Sequence, residues 1–413
     1  MKTLEFFENV QNILSFFLMF YSVYNIVIWL FVYAKPIKKK KIIKKKHKIM
    51  AVISARNEEA VIGNLIESLN NQVYPKNKFD IYVVADNCTD STAKVARNAG
   101  AIVYERFNEF KRSKGYALEW FFDIVLKEFP DKYDAFCIFD ADNIVAPNFI
   151  SKMNEKLCEG ETVVQGYRDI KNPGDNWVSG NYAIFHWTMD RCYHSTRDKL
   201  RLSPLINGTG FMIAMSVLKE EGGWHTETLT EDTEISMNMI AKGRRIAWAN
   251  DAVIYDEQPT DFVEAWNQRL RWGVGTAQCL KACLPKMIKS KHMSPQLIDG
   301  IIYLMGMPLI LFSVLITGID LLKFLLIPTK QSLALIQGKL FFALAFAALS
   351  ILHALWIVWL EKKDVKKVWK GIVTYPIFLI VSYFVNFAAF FNMKLQWKQI
   401  KHESAVSIDD IVK

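Results

Sequence analysis

Four stretches of this chain contain no Asp, Glu, Lys or Arg: residues 9–34, 300–319, 340–360 and 371–393. Each reaches the roughly 20 residues a helix needs to cross the hydrocarbon core of a bilayer. Backbone amides in lipid must be satisfied within their own segment, so such stretches predict membrane helices. The polar sequence between the first and second stretches is then left to fold in water. The first stretch is too long and too aromatic for a cleaved signal peptide and reads as a retained anchor.

Directly after that anchor, "KPIKKKKIIKKKHK" holds nine lysines at residues 35–48, equal to the whole net charge of +9. Beside a membrane helix such a run reads as a cytoplasmic contact with anionic lipid rather than a nucleic-acid arm. It places residues 50–295 in the cytoplasm of a multi-pass cell-membrane protein. Basicity therefore gives no reason to expect a nucleic-acid partner. Six cysteines form no CxxC pair and no Cys/His metal spacing, so reduced thiols are expected.

Between residues 48 and 165 short apolar runs alternate with helical patterns. "KIMAVISA", "DIYVVAD", "AIVYER" and "AFCIFDAD" read as strands. Helices are expected over 58–72, through "STAKVARNAG", and from Lys114 to about Lys127. Alternation of this kind implies parallel βαβ units and an α/β fold with both sheet faces covered. Ligands in such sheets bind outside the carboxyl ends of the strands. From Asp261 to Pro295 the pattern turns helical, aromatic and basic, as in a helix resting on a bilayer. The resulting division is an anchor (1–34), a basic segment (35–48), a cytoplasmic domain (49–260), interfacial helices (261–295), three membrane helices (296–393) and a tail (394–413).

"FCIFDADN" closes one strand with Asp140 and Asp142. In extended backbone, positions i and i+2 share a side, so the two carboxylates can face one cation. Oxygen ligands in that number suit Mg2+ or Mn2+, which complete their shell with water and phosphate. "VVADNCTDST" places Asp86 at another strand end, with Asp90 as the expected helix cap. In "TLTEDTEISMNMIAKG", Glu231 and Asp232 occupy the first turn of a helix that Gly243 ends, where acids suit the helix dipole. In "NQRLRWG", Gln268, Arg271 and Trp272 share one helix face. An arginine fork there fits a diphosphate, and an indole face fits a sugar ring.

The order DNCTDS, DAD, NGTGF, TED and QRLRW resembles the processive family 2 glycosyltransferases, which include the cellulose, hyaluronan, chitin and poly-N-acetylglucosamine synthases. That resemblance implies a GT-A-type domain with a mostly parallel sheet, membrane α-helices and interfacial amphipathic helices. It further implies an inverting hexosyltransferase that uses a UDP-sugar, with Asn57, Glu58, Asp86 and Lys114 on the nucleotide. Asp140 and Asp142 match the metal-holding DxD, and Asp232, next to Glu231, matches the catalytic base. Asn207, Gly208 and Thr209 resemble an acceptor-side loop, and Gln268, Arg271 and Trp272 match QxxRW. Size and helix arrangement are most similar to the poly-N-acetylglucosamine synthases, which implies UDP-N-acetylglucosamine as donor and a growing polysaccharide as acceptor. Four spans are few for a channel, so a homo-oligomer or an accessory export subunit is implied as well. The alternative is a non-processive transferase acting on a lipid acceptor, a polyprenyl phosphate or a diacylglycerol.

Overall fold

The computed structural model describes residues 2–35, 45–326 and 329–393; lysines 38–41 and 44 and the tail 394–413 lie outside the described residues. At its centre is an eight-stranded sheet: β1 Ile49–Ala55, β2 Phe79–Asp86, β3 Ile102–Arg106, β4 Ala135–Asp140, β5 Ile144–Val145, β6 Val163–Ile170, β7 Phe211–Ala214 and β8 Ala247–Asp256. The spatial order is β3-β2-β1-β4-β7-β6-β8-β5. Six strands run in one direction, while β7 and β5 run against them.

Burial on both faces explains why the parallel strands read as nearly unbroken apolar runs. Ile49, Ala51 and Ile53 of β1 enter one core with Leu65 and Ile66 of the helix Ile62–Asn70. Met50 and Val52 enter the other, against Phe121 and Phe122 of the helix Lys114–Glu128. The chain leaves β1 for β2 and β3 on one side and returns to β4 on the other. That reversal opens a crevice at the carboxyl ends of the strands, where Asp86, Arg106, Asp140 and Asp256 each terminate one.

The expected elements are present with two differences. The helix expected over 58–72 spans Ile62–Asn70, because the preceding residues form a turn in which Val61 N and Ile62 N both donate to Glu58 O. The expected strand through Asp142 ends at Asp140. Asn143 N donates to Asp140 O at 3.1 Å, so Asp142 sits in a turn rather than in extended backbone.

Among the described residues, four helices are long and apolar enough to cross a membrane: Glu5–Tyr33, Pro295–Leu322, Gln337–Leu360 and Val365–Ala389. The helix Phe262–Ile288 packs between the last of these and the helix Glu231–Ala241. Ion pairs tie the sheet domain to this bundle: Arg191 with Glu361, Lys363 with Asp169, and the most buried, Arg197 with Asp299. Arg197 donates from Nε to Asp299 Oδ2 at 2.8 Å, both side chains being 2% exposed. Tyr24 of the first helix donates to the same carboxylate at 2.8 Å. Beside it Leu297 and Leu304 pack on Met237 and Ile240.

Candidate active site

A cavity of about 740 Å3 lies over the carboxyl edge of the sheet and continues between the membrane helices. Twelve of the fourteen residues singled out from sequence line it, from Glu58 and Asp86 at one end to Gln268, Arg271 and Trp272 at the other. Asn57 and Thr209 do not. Asn57 has φ +54° and uses its Oδ1 to accept from Thr89 N at 2.8 Å, which joins two loops at the strand edge. Thr209 is fully buried; its hydroxyl accepts from Asp140 N at 3.0 Å and donates to Asn143. It therefore fixes the turn that carries Asp140 and Asp142.

Asp86 ends β2 and pairs with Arg106, which ends the neighbouring β3; both are buried. Lys114 begins its helix behind the cap Ser113, whose Oγ accepts from Tyr116 N at 3.3 Å. Its ammonium bonds Asp140 and donates to Gly208 O at 2.7 Å. Burial alone would depress this lysine, but Asp140, Glu231 and Asp232 outweigh it and hold its pKa raised. One cation thus gathers the strand end, the NGTGF loop and the TED helix around the cavity.

Glu231 and Asp232 stand in the first turn of their helix, and both are partly open to the cavity. Burial pushes Glu231 up to about 7, with Asp232 adding to the push and Lys114 and Arg271 opposing it. Burial also raises Asp232, against Thr233 N–H, Lys114 and Arg271. Oδ1 of Asp232 accepts from Thr233 N at 2.7 Å. Its Oδ2 faces the NGTGF loop, 3.4 Å from where a Cβ would stand on Gly208. Gly208 has φ +78°, a backbone conformation that glycine adopts without strain. A carboxylate with a raised pKa is a stronger base than a free one, and this one faces the loop across the cavity.

Asp142 is 4% exposed and accepts from Glu257 N at 3.3 Å. Beside it Asp256 is pushed up to about 6 by burial, against the ion pair with Arg168, while Asp142 adds to the push. No group of three or more His, Cys, Asp or Glu gathers in metal-holding geometry among the described residues. Asp140 and Asp142 supply oxygen alone and in small number. That donor set fits a hard divalent cation that draws its remaining ligands from water and a diphosphate.

Residues 47–275 match the family described as glycosyltransferase like family 2. The chain belongs to this family. A probable glycosyltransferase of Sulfolobus acidocaldarius is 26% identical over 263 residues, 62% of this chain and 55% of that one. A beta-monoglucosyldiacylglycerol synthase of a Nostoc species is 27% identical over 239 residues, 56% of this chain and 49% of that one. The poly-beta-1,6-N-acetyl-D-glucosamine synthase of Staphylococcus epidermidis is 24% identical over 304 residues, covering 69% and 70%. The match thus spans about half the length of the first two relatives. Among solved structures, the mannosyltransferase PcManGT from Pyrobaculum calidifontis, in complex with GDP-Man and Mn2+, has a TM-score of 0.64. It covers 92% of this chain and 99% of that one at 16% identity, a likeness of fold. The family 2 chain accordingly has a GT-A-like mixed sheet.

Arg168 and Asp256 line the cavity without having been singled out from sequence. Arg168 donates from Nε to Asp256 at 2.9 Å and from Nη1 to Asn207 O at 3.3 Å, so it connects the acidic cluster to the NGTGF loop. A signal for Asp256 existed: "AVIYD" is an apolar run closed by an aspartate, like the runs ending at Asp86 and Asp140. Arg168 lies inside the strand "VVQGYRDI" and carries no such mark.

Proposed function

We propose that the chain is a membrane-bound inverting glycosyltransferase that moves a hexosyl group from a UDP-sugar onto a growing β-linked polysaccharide. The observation that carries this reading is the single cavity joining Asp86, the DxD pair, Asp232 and Trp272 to the membrane helices. Its donor end offers Asp86, Glu58 and Lys114 to the nucleotide. A divalent cation held by Asp142, with Asp140, would supply electrostatic stabilisation of the departing diphosphate.

The chain's own residues account for the other half of the reaction. The acceptor hydroxyl lies against Oδ2 of Asp232, which takes the proton as the oxygen bonds to the anomeric carbon and the bond to UDP breaks. Arg271 holds the diphosphate and, with Lys114, opposes the burial that raises the nearby carboxylates. Gln268 and Trp272 position the acceptor sugar, so less entropy remains to be lost on reaching the transition state. The membrane end of the cavity, with Tyr303, Met307 and Phe378, would receive the product. In this reading residues 49–260 form the catalytic domain on the cytoplasmic side of the cell membrane, and the lysine run meets anionic lipid. UDP-N-acetylglucosamine is the proposed donor, supported by the polymer-forming Staphylococcus relative.

A second reading replaces the polymer with a lipid acceptor. It is favoured by the apolar lining at the membrane end and by the similarity to the glucosyldiacylglycerol synthases. Membranes incubated with a panel of labelled UDP-sugars, with and without Mn2+, decide between the two by product size. A polymer supports the first reading, and a lipid carrying one or two sugars supports the second. No incorporation from any UDP-sugar refutes both.

A further inference from the structure

The helix Trp177–Thr188 carries none of the motifs that marked the site, yet His186 on it lines the same cavity. The imidazole is 2% exposed; Gln258 is a hydrogen-bonding neighbour of the ring, but no bond of normal length and angle closes on either ring nitrogen. Native cores rarely leave such a group unsatisfied. Its ring stands nearly perpendicular to the Trp272 indole at 6.2 Å between centroids, and Tyr182 stacks at 6.3 Å. Two more polar atoms nearby share the deficit. Gln268 Oε1, from a side chain lining the cavity, is unpartnered. Oε1 of Gln258, a 2% exposed side chain whose amide nitrogen donates to Asp256, also closes no bond of normal geometry and is the acceptor within reach of one His186 nitrogen, which leaves the other nitrogen for the cavity.

Burial holds the His186 pKa well below its ordinary value, and the positive charge of Arg168 adds to this. The ring is therefore neutral at physiological pH, with one nitrogen a donor and the other an acceptor. A hydroxyl group has the same dual character. A diphosphate gains nothing from a neutral ring, and Lys114, Arg168 and Arg271 already supply the cavity with positive charge. An acyl chain would leave the nitrogen that Gln258 does not reach unsatisfied.

We propose that His186 binds a hydroxyl of the acceptor sugar beside the Trp272 ring, and thereby favours a saccharide chain over an acyl chain at that point of the cavity. This rests on reading the cavity as the transfer site. The test uses the full chain in detergent, with intrinsic tryptophan fluorescence reporting the binding of short β-linked oligosaccharides of glucose and of N-acetylglucosamine. His186→Phe keeps an aromatic ring of similar size and removes both nitrogens, while His186→Asn restores one donor and one acceptor. The phenylalanine variant should weaken oligosaccharide binding by about tenfold, the loss expected for one hydrogen bond. The asparagine variant should recover part of that loss, and both should bind UDP in Mn2+ as the wild type does.

Unchanged oligosaccharide affinity in His186→Phe overturns the proposal. An equal loss of UDP affinity overturns it too, because His186 would then be a packing residue. Absence of oligosaccharide binding to the wild type is a third refutation. The readout needs no turnover. A wild type that binds oligosaccharides through His186 but transfers from no UDP-sugar would refute the proposed function and leave this inference standing.

Discussion

Replacing Glu231 with glutamine tests the electrostatics of the site through stability rather than through catalysis. Burial raises this carboxyl from 4.5 to about 7, so the folded state disfavours its ionised form. Below about pH 4.5 the group is protonated in both states and costs nothing. Between there and about pH 7 the unfolded chain ionises first, and stability falls as the pH rises. Above about pH 7 the whole cost applies, on the order of 3 kcal/mol at 1.36 kcal/mol per pKa unit. Cavity water screens part of it, leaving an expected gap of about 1–3 kcal/mol. Glutamine carries no charge and so no such cost. The thermal midpoint of Glu231→Gln in detergent should match the wild type near pH 4 and exceed it by several degrees near pH 8. A gap that does not change with pH would falsify the account, and so would a variant less stable than the wild type near pH 8.

Asp232→Asn should lower transfer by about 10^2- to 10^4-fold while leaving UDP affinity intact, read by product formation beside a nucleotide-binding titration. Retained activity removes Asp232 as the base. For Asp142→Ala the loss should appear in nucleotide binding itself, as UDP affinity that no longer responds to Mn2+. Gly275→Ala would set a Cβ 2.6 Å from Thr230 Oγ1 and 2.8 Å from Thr230 N, against the residue that precedes the TED helix. Overpacking of this kind costs about 1–3 kcal/mol, so a lower thermal midpoint and lower activity should appear together; an unaltered midpoint contradicts the close packing.

What the sequence revealed and what it hid follow from the range of the interactions. Asp86 and Asp140 were legible because each closes an apolar run, and strand ends of one orientation meet at one edge. Gln268, Arg271 and Trp272 were legible because helix periodicity places them on one face. Asp142 was legible as a cavity residue but not in its conformation. The turn that holds it depends on Asn143 and on Thr209, 69 positions from Asp140. Thr209 was read as an acceptor contact for the same reason: nothing local shows that its hydroxyl points into the protein. The pairing of Arg168 with Asp256 spans 88 positions and follows from β6 lying beside β8, a neighbour relation no local pattern encodes. His186 sits in an aromatic helical stretch that reads as ordinary core.

The buried contact of Arg197 with Asp299 bears on how this protein can be handled. A truncation ending before Pro295 would remove the carboxylate that Arg197 faces and uncover Met237 and Ile240, now sealed by Leu297 and Leu304. Those two side chains belong to the very helix that begins with Glu231 and Asp232, so a fragment without the bundle would lose packing behind the proposed catalytic pair. Under the proposed function, activity would in this sense require the helix that begins at Pro295 to be docked on the sheet domain.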